Sequence, residues 1–224
     1  MNYVFDYGWV IPYAPMLLAG VLVTIGLSLL GTLGGIALGL GCAWTLSWGP
    51  GRARPVVHAY VEVIRNTPFL IQLFFIYFGL PELGIRVSAF TAAIATTVLN
   101  VGAYSCEIVR AGIQATPRGQ VEAGTSLAMS RTEVFRHIIL FPALERIWPA
   151  LSSQFVIVML GTSVVSQIAV EDITFVANFI QSRNFRSFET FFVSLFIYLA
   201  LAAIMRGLLD LLGRRIFPRR YARD

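Results

Sequence analysis

Asn100, Tyr104 and Glu107 recur at spacings of four and three, which on a helix brings all three near one face. Thr162, Ser163, Ser166 and Gln167 make a similar stripe further along. Both sets lie in or beside long apolar runs, where polar groups are costly and usually face a cavity or a neighbouring helix. Amides, hydroxyls and one carboxylate in such a place suit the holding of a small polar solute, with Glu107 available for an ammonium group. The spacing favours another use of that carboxylate, a pair with Arg110 one turn on. The hydroxyls can likewise bond their own backbone or an adjacent helix. Catalysis finds little support. An intramembrane serine protease needs a histidine beside its serine, whereas His58 and His137 each stand alone in polar loops near arginines. Cys42 and Cys106 lie in apolar stretches and read as small buried hydrophobes, with no ligand-spaced pattern for a metal.

The elements that must position these groups are set by an apolar composition. Of 224 residues 57% are hydrophobic and 13% charged, with mean hydropathy +0.73; soluble domains carry about 25% charge. All 17 cations are arginine. Without a lysine the chain has neither a Walker A loop nor a Schiff-base cofactor site, so its energy must come from a partner or an ion gradient. A pI near 9.6 is more simply explained by arginines flanking membrane spans than by nucleic acid.

Charge-free runs at residues 7–51, 66–81, 87–106, 147–170 and 190–205 predict five spans, each near the 20 or so residues that cross hydrocarbon. Glu62, Arg65, Arg206 and Asp210 flank the second and fifth, where they can sit at an interface or snorkel toward it. The first run is too long for one crossing, and Pro12 and Pro15 predict an interfacial segment, with Tyr7, Trp9 and Tyr13, before a helix over about 16–46. No cation precedes that span, so it lacks a signal peptide's basic start and is expected to stay in the mature chain. Five spans place the termini on opposite sides. An outer N-terminus puts twelve arginines inside, including Arg118, Arg131, Arg219, Arg220 and Arg223, and leaves only Arg86, Arg183 and Arg186 outside.

Between the third and fourth spans runs the long inner loop, residues 110–148. Pro117 and Gly119 punctuate its start, short helices are predicted over 121–129 and 131–141, and Pro142 and Pro149 bracket the return to the membrane. A helix this short is marginal alone in water. It needs a partner subunit or its own bundle to pack on.

Several segments carry a family resemblance. AYSCEIVRAGIQATPRGQVEAG, VIRNTPFLIQLFFIYFGLP and GVLVTIGLS together resemble permeases of type I ATP-binding-cassette (ABC) importers, more narrowly the histidine/glutamine-type family for polar amino acids. The resemblance covers most of the chain. Gly124 stands where that family usually has a second alanine, Ala128 where it has a glycine, and Phe141-Pro142 displaces its Leu-Pro by one residue. A glycine would permit a turn that alanine resists.

The resemblance implies an all-α, MetI-like membrane fold of about five transmembrane helices, N-terminus out and C-terminus in, as one permease domain over 1–224 in a bacterial inner membrane. It implies a non-catalytic subunit, with ATP and magnesium bound by an ABC ATPase dimer. A second permease chain, alike or related, and an external solute-binding protein complete the set. Gly119, Gln120, Glu122, Ala123, Gly124, Ala128 and Ser130 would then form the coupling helix that docks on the ATPase, with Glu122 its charged contact. Glu122 has a plainer use as a first-turn carboxylate at the helix dipole. Arg65, Thr67, Pro68 and Gln72 match the family in the second span, Pro68 marking a first turn, and Gln72 joins the two polar stripes as a candidate pathway residue. The outer segment 171–189 could meet a solute-binding protein or be a solvated loop. A gradient-driven carrier or channel is the competing reading, but it predicts a carboxylate relay or inverted repeats, and neither is present in the chain.

Overall fold

The computed structural model describes residues 4–218. Arg219, Arg220 and Arg223, three of the arginines assigned to the inner side, lie outside the described residues, and the side chain of Arg131 is not described. Every regular element among the described residues is helical.

Helix α1 (Val10–Trp48) begins six residues earlier than its expected start. Pro12 falls in the first turn, where no intrahelical N–H is needed, so it does not delay the helix. At about 1.5 Å per residue α1 is longer than the hydrocarbon is thick. It packs lengthwise on α5 (Ala89–Gln114), whose Ser88 hydroxyl caps the Thr91 N–H. Gly31, Gly35 and Gly39, spaced by four, make that approach close. A Cβ on Gly39 would lie 2.6 Å from Ser105 Cβ and 2.9 Å from the Cys106 nitrogen.

The second span is not the single helix predicted. It is α2 (Arg54–Arg65) followed by α3 (Phe69–Phe74), a π turn (Phe75–Gly79) and the one-turn α4 (Leu80–Glu82), bent by 111° between Arg65 and Phe69. A proline disfavours helical backbone in the residue before it, and Pro68 itself is extended (ψ 139°) as the N-cap of α3 rather than a member of its first turn.

The inner loop contains α6 (Arg118–Ser126) and the single turn α7 (Arg131–Glu133). The chain then runs through a π segment (Val134–Leu140), α8 (Phe141–Gly161) and a 3₁₀ segment (Thr162–Ile168) as one span. Pro142 and Pro149 therefore lie within this helical run rather than bracketing it. Pro142 has no N–H to give the preceding turn, and the wide π segment sits immediately before it.

Segment 171–189 is no solvated loop. Helix α9 (Ile173–Asn184) buries Ile173, Val176, Ala177 and Ile180, and Gly20 of α1 meets Val176 and the Asp172 backbone. Helix α10 (Ser187–Ile216) closes the fold with few buried residues, among them Glu189, Thr190 and Ser194. Apolar side chains of α1, α5 and α8 around Cys106, Val109 and Ile147 form one core, and Leu27, Leu73 and Val165 belong to another.

Candidate functional site

The bend between α2 and α3 opens a cleft against α5 and α8. Arg65, Asn66, Thr67, Pro68, Phe69, Asn100, Tyr104, Gln154 and Ile157 line a volume of about 550 Å³. A smaller recess of about 180 Å³ shares Phe69, Asn100, Gln154 and Ile157 with it and is also bordered by Thr162 and Val164.

Gln72 builds the bend. Its side-chain N–H groups donate to the carbonyl of Ile64 (2.7 Å), the carbonyl of Thr67 (2.9 Å) and the Thr67 hydroxyl (2.9 Å). These carbonyls belong to the end of α2 and the turn after it, which lack helical partners. The amide oxygen of Gln72 accepts from Asn100 Nδ2 at 3.1 Å. Gln72 is thus a buried positioning residue: it closes the turn and aims Asn100, which borders the cleft.

Glu107 faces two guanidiniums. Arg110 donates to both carboxylate oxygens, Nη2 at 2.8 Å and Nε at 3.1 Å, and Arg65 Nη1 lies 3.8 Å away. The Arg65 guanidinium also sits over the Tyr104 ring, 5.6 Å from its centroid. Glu62 adds a second carboxylate nearby, accepting from Asn66 Nδ2 at 3.1 Å, and the Arg65 guanidinium is the charged group on the cleft wall itself. Glu107 is held by these arginines, and Asn100 and Tyr104 are the members of its stripe that line the cleft.

The second stripe divides. Thr162, Ser163, Ser166 and Gln167 share a face at 3.6 residues per turn, but this segment turns every three residues. Thr162, Val165 and Ile168 are therefore the buried set. Thr162 borders the recess and donates to the Met159 carbonyl (2.7 Å), Ser166 donates to the Ser163 carbonyl (2.8 Å), and Gln167 is exposed. Gln154 lines both cavities and falls outside the two stripes, although an uncharged amide inside a predicted span is a readable signal.

A second polar cluster joins α1, α9 and α10. Asp172, fully buried, caps α9 by accepting from the Phe175 N–H (2.8 Å) and accepts from the Tyr198 hydroxyl (3.1 Å). The Ile173 N–H reaches the Thr24 hydroxyl at 3.4 Å.

On the inner side, Gly119, Gln120, Glu122, Ala123 and Ala128 are exposed, and Leu127 is 77% exposed although apolar. Gly124 is buried, and a Cβ there would strike the tip of Ile138. Ala128 takes the left-handed backbone (φ 58°) that a glycine would adopt freely, and the Met129 N–H closes the helix end on the Gly124 carbonyl (3.2 Å). Ser130 opens the next turn with a capping box: its N–H (2.8 Å) and hydroxyl (2.7 Å) donate to Glu133, whose N–H returns to the hydroxyl. The Ser130 hydroxyl, then its N–H, hold the Glu133 carboxyl below its ordinary range.

The profile of the "Binding-protein-dependent transport system inner membrane component" family matches residues 31–218. The chain belongs to this family. The permease is 36% identical to the glutamine transport system permease protein GlnP of Escherichia coli over 214 residues, 95% of this chain and 98% of that protein. It is 33% identical to the L-cystine transport system permease protein TcyB of Bacillus subtilis, covering 90% and 87% of the two chains. A solved amino acid ABC transporter with histidines matches with TM-score 0.87 and 36% identity over 95% of the permease and 100% of that chain. The inward-facing MetNI methionine ABC transporter, 17% identical, shares the fold (TM-score 0.78, over 92% and 98% of the chains). The permease is thus an inner-membrane transport subunit with the MetI-type fold.

Proposed function

We propose that the permease carries a polar amino acid inward through the cleft between α2–α3, α5 and α8, in a single transmembrane domain driven by separate ATPase subunits. The observation that carries this reading is the cleft itself: the amides of Asn100 and Gln154 and the exposed guanidinium of Arg65 border one open cleft on the face of the bundle. Amides match the hydrogen-bonding capacity of a cargo without a fixed charge cost, and the Arg65 guanidinium on the cleft wall favours the α-carboxylate end. The glutamine and cystine permeases it resembles support an amino-acid cargo.

Energy reaches the cleft through α6. Its exposed Glu122 and the exposed Leu127 just after its end form a polar and an apolar contact for an ATPase groove, and Gly124 seats the helix against Ile138 so that a push on α6 is passed to the π segment and α8. The ATPase dimer binds ATP and magnesium and hydrolyses the nucleotide, a solute-binding protein delivers cargo outside, and a second permease chain completes the pathway.

Uptake of radiolabelled glutamine, cystine and other amino acids by proteoliposomes holding the assembled transporter tests the proposal. ATP-dependent accumulation of at least one is expected, with Asn100→Ala lowering the transport rate by about tenfold, the loss of one well-placed hydrogen bond to a polar group. Uptake that persists without ATP, or is unchanged in Asn100→Ala, would contradict it.

A further inference from the structure

A further cleft lies on the α10 side of α8. It encloses about 280 Å³ and is bordered by Ser152, Ser153, Ile157, Arg206 and Asp210. Ile157 also borders the transport cleft, and the chain neighbours Ser153 and Gln154 border one cleft each, so α8 is a wall common to both.

Arg206 and Asp210 stand one turn apart in the inner half of α10, both exposed. Among the described residues neither makes an ion pair. Cation before anion at this spacing is the weaker order for pairing along a helix. The hydroxyl of Ser152 is buried without a hydrogen-bond partner. Charges of both signs at the inner end of α10, exposed and unpaired where they border one cleft, suit a water-accessible station for a polar solute better than a lipid face. At about 280 Å³ the space admits a small solute, drug-sized ligands needing roughly 300 to 1,000 Å³.

We infer that this cleft is an inner binding station for the head group of a zwitterion, whose carboxylate meets the Arg206 guanidinium and whose ammonium meets the Asp210 carboxylate. The inference rests on the amino-acid cargo proposed above and extends it. The transport cleft presents amides and one guanidinium, whereas this station presents both charges, so a cargo passing along the α8 wall exchanges one set of partners for another.

The test uses the assembled transporter in nanodiscs, with Ser153→Cys as a reporter and a charged, water-soluble thiol reagent. Native Cys42 and Cys106 are buried, and the unmodified protein is the labelling control. The probe is whichever amino acid the unmodified complex accumulates, beginning with glutamine. That amino acid should slow labelling of the introduced thiol, and Arg206→Gln and Asp210→Asn should each raise the half-protecting concentration tenfold or more. The double exchange Arg206→Asp with Asp210→Arg keeps both charges and should restore protection. Labelling indifferent to the amino acid, or protection unchanged in both single variants, would overturn the station, as would a disulfide joining the introduced thiols of two copies, which would make this face a subunit contact. Absence of amino-acid uptake by the unmodified complex would instead overturn the cargo reading, and the station's ligand class with it.

Discussion

Ala128 carries a clear stability consequence for a single side chain. A left-handed backbone costs an L-residue about 1 to 2 kcal/mol, a cost glycine avoids, and Ala128 adopts it to end α6 (φ 58°). Ala128→Gly should therefore raise stability by about 1 kcal/mol, read as a melting temperature higher by about 2 to 4 °C in detergent; an unchanged or lower value would show that the turn is not strained. Gln72 is a second such position. Gln72→Leu keeps the bulk but abandons the carbonyls of Ile64 and Thr67 and the amide of Asn100. Buried polar groups left without partners cost about 1 to 3 kcal/mol each, so this variant should lose both melting temperature and transport. Loss of transport with no loss of stability would instead place Gln72 in contact with cargo.

Between elements, the contrast is among glycines of one helix. Gly39 faces the backbone of α5, whereas Gly26 has open space where a Cβ would stand. Gly39→Val should cost 3 kcal/mol or more, at and beyond the upper end of the about 1 to 3 kcal/mol typical of overpacking, and leave little folded protein by size-exclusion chromatography; Gly26→Ala should be tolerated. At the start of α9, Asp172→Ala removes a cap worth about 0.5 to 2 kcal/mol and a partner of Tyr198. Asp172→Asn retains an acceptor oxygen and should keep most of that stability, a difference that thermal unfolding reads directly. The spans were legible because a charge-free run of about 20 residues is long enough to cross hydrocarbon and too apolar to face water. The break at Thr67-Pro68 was legible in principle from the restriction a proline imposes. The burial of Asp172 was not, because it is decided by Gly20 and Tyr198, far away in the chain. The stripe of Thr162, Ser163, Ser166 and Gln167 misled because 3.6 residues per turn does not hold in a segment that winds more tightly. Glu107 illustrates the middle case: its partner Arg110 follows from spacing, but Arg65 reaches it only because α2 and α3 bend.

For the molecule as a whole, the prediction concerns transmission from α6. In the assembled transporter, Glu122→Ala should reduce cargo-stimulated ATP hydrolysis while leaving the melting temperature of the permease near its original value, since Glu122 is exposed. Stimulation equal to the parent would assign Glu122 to the helix dipole alone. The same arrangement separates frame from mechanism. Among the described residues every segment of non-α winding, Phe75–Gly79, Val134–Leu140 and Thr162–Ile168, belongs to the spans built on α3 and α8 that border the cleft, while α1 and α5 are regular and locked by their glycine contacts. Off-register turns hold weaker backbone bonds and can relax to the common pitch by a small screw motion. Deuterium should thus enter the amides of those three stretches well before the α1–α5 pair, so that the protein behaves as a fixed stator with two winding sleeves, and freezing either sleeve would stall the machine without touching its cargo or its engine.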